Sequence, residues 1–177
     1  ALGAKVELIK KKKIIKITNN KKHKLIVPYN LVSTMRAGVL TMGPLLARYP
    51  KNKIKVALGG GCALGIRDTS WHLSGFKSLG AYNTLKRGYV NISSKNGLKG
   101  KFFKFPKVTV TGSSNLIMAS ILIKGEHIIK NISIEPEVKD LIKFLNKSGA
   151  KIKFIGKRSL KIRGVEELTN GDHTIIG

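Results

Sequence analysis

Val138-Lys139-Asp140-Leu141-Ile142-Lys143-Phe144-Leu145-Asn146-Lys147-Ser148-Gly149-Ala150-Lys151-Ile152-Lys153-Phe154-Ile155-Gly156-Lys157-Arg158-Ser159-Leu160-Lys161-Ile162 reads as a helix turning a corner into a hairpin. Val138, Leu141, Ile142 and Leu145 recur at the i, i+3, i+4, i+7 spacing of a helix with one buried face. Gly149 stands where a left-handed residue stops a helix. Beyond it, apolar and charged residues alternate on both sides of the polar turn Gly156 to Ser159, the pattern of a half-buried antiparallel hairpin.

The pattern recurs. Ser148-Gly149-Ala150 answers to Leu79-Gly80-Ala81, 69 residues earlier, and that in turn to Leu2-Gly3-Ala4, 77 residues before it. Each corner is followed by strand, polar turn and strand: Lys5 to Leu8 then Ile14 to Ile17, and Tyr82 to Leu85 then Tyr89 to Ile92. A helix marked by Trp71, Leu73, Phe76 and Leu79 precedes the second corner. Further upstream, a helix over Asn30 to Arg48 matches one over Ser113 to Lys124, each followed by a strand, Ile54 to Leu58 and His127 to Ile132. The unit is helix, strand, helix, hairpin. Two complete copies and the tail of an earlier one predict an α+β repeat with hairpins in sheets and helices packed inside.

The whole chain has 177 residues, enough for a real core. No apolar run approaches a membrane span, and Ala1-Leu2-Gly3-Ala4 runs into charge rather than into a signal-peptide core. The absence of an initiating Met and the abrupt finish at Ile175-Ile176-Gly177 suggest a part of a longer protein. One cysteine excludes an internal disulfide framework and fits a reducing, cytoplasmic setting. The formal charge of +25 invites a nucleic-acid partner, but 28 of the 34 basic residues are Lys scattered along the chain, and no recognition motif accompanies them. A general attraction for anionic substrates survives either way.

The two complete units differ at one place. Between strand and second helix the later unit has only Ser133-Ile134-Glu135-Pro136-Glu137, suited to a helix first turn. The earlier unit has Leu58-Gly59-Gly60-Gly61-Cys62-Ala63-Leu64-Gly65-Ile66-Arg67, with four of the nineteen glycines and the only cysteine. The repeat does not require those residues, so a site is expected there. Cys62 is expected exposed, as general acid or as nucleophile; Arg67 and backbone N–H groups would lower its pKa, and closure of Leu64 and Ile66 would raise it. Arg67 precedes a helix start that Asp68, Thr69 or Ser70 can cap, and is either a phosphate ligand or a surface residue. Arg36, on an otherwise apolar helix, either faces solvent or meets an anion. Lys107-Val108-Thr109-Val110-Thr111-Gly112-Ser113-Ser114-Asn115 reads as a strand entering a hydroxyl-rich turn, whose hydroxyls either hold a ligand or cap the next helix. His23, His127 and His173 show no metal-ligand spacing, and Asp172-His173 has no evident partner.

At these residues the chain resembles the enolpyruvyl transferases, most closely the branch that builds peptidoglycan precursors on a UDP-sugar. The matching residues are Pro28-Tyr29, Leu31-Val32, Thr34-Met35-Arg36-Ala37, Gly43-Pro44-Leu45, Gly60-Gly61-Cys62-Ala63-Leu64-Gly65 with Arg67 and His72, Leu79-Gly80-Ala81, Lys107-Val108, Glu135-Pro136-Glu137 and Gly149-Ala150-Lys151. The resemblance implies an inside-out α/β barrel of repeated βαβαββ units, about two and a half of them present. Residues 1–24 would be the tail of the first unit, 25–100 the second and 101–177 the third, making most of one domain with the second domain absent. It implies transfer of the enolpyruvyl group of phosphoenolpyruvate to the 3-hydroxyl of UDP-N-acetylglucosamine with release of phosphate, and no cofactor or metal. Cys62 would be the proton donor, alkylated by fosfomycin. Arg36, Arg67, Asp68, Thr69, Ser70, Trp71, Lys107, Val108, Thr109 and Val110 would contact substrate. Departures are Gly59 in place of the family's proline, and Arg67-Asp68-Thr69-Ser70-Trp71-His72 in place of Arg-Pro-Val-Asp-Leu-His, which sets a carboxylate near the nucleotide phosphates. The family's Lys-Asn pair for phosphoenolpyruvate and its aspartate base have no counterpart here, so the 177 residues alone are expected to be inactive. Rival expectations are a shikimate-phosphate enolpyruvyl transferase, which leaves the loop cysteine unexplained, and a basic nucleic-acid-binding module.

Overall fold

The computed structural model describes residues 2–9, 13–18, 24–32, 35–58 and 69–176. Among these, two four-stranded sheets share one topology. The first comprises β3 (Ile26–Val27), β4 (Ile54–Ala57), β5 (Tyr82–Lys86) and β6 (Tyr89–Ser93) in the order β3-β4-β6-β5. The second comprises β7 (Phe102–Lys104), β8 (Glu126–Lys130), β9 (Lys151–Gly156) and β10 (Ser159–Arg163) in the order β7-β8-β10-β9. In both, the opening strand pairs parallel with the next, which pairs antiparallel with the inner strand of the hairpin. This is the βαβαββ repeat that the resemblance implies; the opening strands β3 and β7 extend the helix, strand, helix, hairpin unit read from the residues.

Alternation places the core. Val90 and Ile92 on β6, and Leu160 and Ile162 on β10, point inward and are buried, whereas β5 and most of β9 are exposed edges. The inward faces meet helices α2 (Met42–Arg48), α3 (Ser70–Ser78), α4 (Val110–Ser120) and α5 (Pro136–Lys147). Central among them is α4, packed on α2, α3 and α5. Val138, Ile142 and Leu145 of α5 are buried as their spacing predicts, and Pro136 takes the first helical position, where a missing N–H costs nothing. The three corner glycines, Gly3, Gly80 and Gly149, have φ of 101°, 84° and 91°, the left-handed conformation that glycine adopts without steric penalty.

Three expectations are corrected. The helix expected over Asn30 to Arg48 is divided into α1 (Tyr29–Val32), a 3-10 segment (Arg36–Thr41) and α2. Pro44 explains the restart: in a continuous helix its ring would clash with the Leu40 carbonyl and its absent N–H would leave that carbonyl unpaired, whereas in the first turn of α2 neither problem arises. The strand expected from Lys107 does not form: the short β7 ends at Lys104, residues 107–109 are irregular, and Val110 to Gly112 already belong to α4. The first hairpin, β1 (Lys5–Ile9) with β2 (Ile14–Thr18), forms in register but is not half-buried: Val6 is 58% and Ile15 63% exposed. The later hairpins bury a face because a helix precedes each of them, α3 or α5; among the described residues no helix precedes the first.

Close approach of α2 and α4 depends on Gly43. A Cβ there would lie 2.3 Å from the Asn115 backbone oxygen, whereas one at Gly80 would meet nothing within 4 Å. Gly80→Ala should therefore cost about 1–2 kcal/mol through backbone strain alone. Gly43→Ala should cost about 3 kcal/mol, because a packed helix must move. Urea unfolding midpoints of the two variants test this ordering; a milder effect at Gly43 would contradict the contact.

Candidate functional site

The insertion from Gly59 to Asp68, with Cys62, Arg67 and Asp68, lies outside the described residues, between β4 and α3 in the chain. What the structure describes is the ground on either side of it. Thr69 immediately precedes α3, and Ser70 and Trp71 form its opening. Ser70 is exposed and Trp71 half-buried. Of the capping residues expected here, Thr69 makes no side-chain cap bond.

Across from α3, Lys107 and Val108 are exposed, and Thr109 is the N-cap of α4. Thr109 Oγ1 accepts from the Gly112 N–H at 3.2 Å. The hydroxyls of Thr109, Ser113 and Ser114 in the supposed turn all bond within the first turns of α4. Ser113 Oγ donates to the Thr109 carbonyl at 2.6 Å and accepts from the Ser133 N–H at 2.9 Å, tying α4 to the segment that leads into α5. Ser114 Oγ donates to the Val110 carbonyl at 3.1 Å. Of the two readings left open by the sequence, capping is the one observed for Thr109.

The two helix openings are joined by a hydrogen bond. His72, buried in the first turn of α3, has Nε2 3.3 Å from Thr111 Oγ1 in the first turn of α4. Its Nδ1 lies 2.9 Å from Asn115 Nδ2. The same amide nitrogen donates to the Val39 carbonyl of the 3-10 segment at 2.8 Å, and Asn115 Oδ1 accepts from the Gly43 N–H at 2.7 Å. The structure thus brings Thr69, Ser70 and Trp71 beside Thr109 and Val110, with Lys107 and Val108 at the same end. Arg36 opens the 3-10 segment; its side chain lies outside the described residues. Two helix N-termini side by side present positive dipole ends, and Lys107 adds a full charge, an arrangement suited to an anionic ligand.

A second feature is an apolar groove of about 670 Å³ between the 3-10 segment, α2, α4 and α5, with Leu2 at its rim. It touches the helix openings only through Val110 and Thr111. Elsewhere, His173 Nε2 meets Asp140 Oδ1 of α5 at 2.9 Å, which supplies the partner that His173 lacked in the sequence. The Lys161 ammonium hydrogen-bonds Glu126 on the outside of the second sheet and holds its carboxyl below the usual range. Among the described residues no three His, Cys, Asp or Glu side chains converge as metal ligands, and no helix is long and apolar enough to cross a membrane.

Sequence reasoning missed the polar node around Asn115. The partners of His72 stand 39 and 43 residues away in sequence. The available signal was a single amide in the middle of an apolar helix, which must find partners if buried.

The fold is that of the enolpyruvyl transferases. The enolpyruvyl transferase NikO from Streptomyces tendae superposes with a TM-score of 0.76 over 93% of this chain and 38% of its own, at 15% identity. The model of the EPSP synthase (3-phosphoshikimate 1-carboxyvinyltransferase) family matches residues 1–177, and the chain belongs to that family. Within it, the chain is 44% identical over 176 residues to a UDP-N-acetylglucosamine 1-carboxyvinyltransferase of Pelagibacter ubique, covering 99% of this chain and 41% of that protein. It is also 44% identical over 168 residues to the protein of the same name from Endomicrobium trichonymphae, covering 95% and 40%. The chain therefore spans about two-fifths of the length of the curated relatives it matches.

Thr109→Ala should destabilise α4 by about 1 kcal/mol through loss of its cap, and Thr109→Ser should recover most of that. Chemical denaturation of both variants is the check. Equal losses would show that the methyl packing of Thr109, not its oxygen, is what matters.

Proposed function

We propose that the chain is part of an enzyme that transfers the enolpyruvyl group of phosphoenolpyruvate to the 3-hydroxyl of UDP-N-acetylglucosamine. The sugar 3-hydroxyl gives its proton to a base as its oxygen adds to C2 of phosphoenolpyruvate and C3 gains a proton; phosphate then leaves, C3 gives up a proton, and the enol ether remains. The observation that carries this proposal is the cysteine-bearing glycine insertion between β4 and α3, in a chain 44% identical to proteins named for this reaction. A shikimate-phosphate transferase gives no reason for Cys62.

In this scheme Cys62 delivers the proton to C3. Closure of its loop would exclude water, as lids over reactive intermediates do. Arg36 and Arg67 neutralise phosphate or carboxylate charge by charge-assisted hydrogen bonds. Asp68, Thr69, Ser70 and Trp71 on one side, and Lys107, Val108, Thr109 and Val110 on the other, hold the nucleotide sugar. The support for this division of labour is the adjacency of the openings of α3 and α4 through His72 and Thr111.

Residues 1–177 are taken as most of one domain, with the tail of the first unit at 1–24, the second unit at 25–100 and the third at 101–177. The greater length of the relatives supports a further domain supplying the rest of the active site. The apolar groove beside Leu2 is where a helix of the first unit would pack, by analogy with α3 and α5, each of which precedes the matching corner of its own unit. The cytoplasm, where phosphoenolpyruvate is made, is the compartment that suits these substrates.

In the full-length protein, Cys62→Ser should abolish covalent labelling by fosfomycin and lower turnover by about 10²-fold or more. Mass spectrometry of the labelled protein and release of phosphate from phosphoenolpyruvate are the measurements. Labelling that persists in the variant would remove Cys62 from the mechanism.

A further inference from the structure

We propose, on the footing of the function proposed above, that Asn115 is a positioning residue that sets the acceptor-binding face through His72 and Thr111. Asn115 is fully buried in the middle of α4, where Leu116, Ile117 and Ala119 surround it in sequence. A leucine would suit such a helix; a buried amide is tolerable only when its hydrogen bonds are made. Asn115 makes three, and each goes to a different element: the Gly43 N–H of α2, the Val39 carbonyl of the 3-10 segment and the His72 ring of α3.

The two backbone partners fix the amide's orientation. Gly43 offers only an N–H, so Oδ1 must face it; Val39 offers only a carbonyl, so Nδ2 must face that. Nδ2 is then also what meets His72, and Nδ1 of the imidazole must accept. The ring proton consequently resides on Nε2, directed at Thr111 Oγ1. One amide therefore dictates a tautomer in the first turn of α3, and that tautomer supplies the donor that joins α3 to the first turn of α4.

The node lies among all three described segments to which substrate contacts are assigned. Arg36 is three residues before Val39, Ser70 and Trp71 immediately precede His72, and Thr109 and Val110 immediately precede Thr111. In the proposed mechanism proton delivery to phosphoenolpyruvate rests on Cys62 and the remaining contacts on the further domain, while Arg36 can meet the phosphate of either substrate. Disturbing the node should therefore weaken the hold on the nucleotide sugar selectively.

The test uses the full-length protein with three variants: Asn115→Leu, His72→Phe and Thr111→Val. KM for each substrate and the Kd of UDP-N-acetylglucosamine by calorimetry are the readouts. A positioning role predicts that KM and Kd for the nucleotide sugar rise roughly 10- to 100-fold, with KM for phosphoenolpyruvate within about twofold of wild type. Thr111→Val removes only the surface end of the chain of hydrogen bonds and keeps the test open should Asn115→Leu not accumulate as folded protein. Unchanged nucleotide-sugar binding in folded variants would overturn the positioning role while leaving the proposed function standing, as would equal losses for both substrates. A wild-type protein that neither binds nor turns over the nucleotide sugar would overturn both.

Discussion

The constraint on which the rest depends is that α4 is buried on nearly every side and still carries polar residues. Gly112 through Ile117 are all buried, including Ser113, Ser114 and Asn115. Taking those groups out of water is tolerable only because each is hydrogen-bonded. Ser113 ties the helix to Ser133, and Asn115 ties it to α2, the 3-10 segment and α3. Gly43 is the steric half of the same arrangement, since any side chain there would collide with the Asn115 backbone. Fixing α4 in this way fixes where α2, α3 and α5 pack around it.

That shared plan explains both the regular and the irregular parts of the fold. Two units repeat the strand order and the helix-to-hairpin corner, down to positive φ at Gly80 and Gly149. The corner at Gly3 is the same, but the hairpin after it projects apolar residues on both faces. A two-stranded ribbon buries little by itself. Among the described residues, its exposed apolar side chains lie in the same unit as Leu2, which lines the apolar groove.

The proposed function is assigned to a place where the two units differ in sequence. The later unit passes from β8 to α5 through a short Pro-containing turn, whereas the earlier inserts the glycine and cysteine loop before α3. In the proposed function the repeat supplies the frame and the insertion the chemistry. The frame's contribution is to bring the openings of α3 and α4 together through His72 and Thr111.

The sequence by itself determined the repeat, the corners, the hairpins and the location of the insertion, because these follow from local periodicity, glycine at fixed positions and comparison of one unit with the next. Val138, Ile142 and Leu145 announced their buried face through spacing alone. Boundaries set by competing local effects were harder to read. Pro44 divided a segment whose apolar pattern looked continuous, and Thr109 turned an apparent strand into a helix cap. Only the tertiary structure decided the polar contacts across the core. Asn115 to His72, Asn115 to Gly43 and His173 to Asp140 join residues 33 to 72 positions apart. Hydrogen bonds between side chains on different helices depend on how closely the helices pack and in which register, and neither is encoded by the periodicity of any one helix.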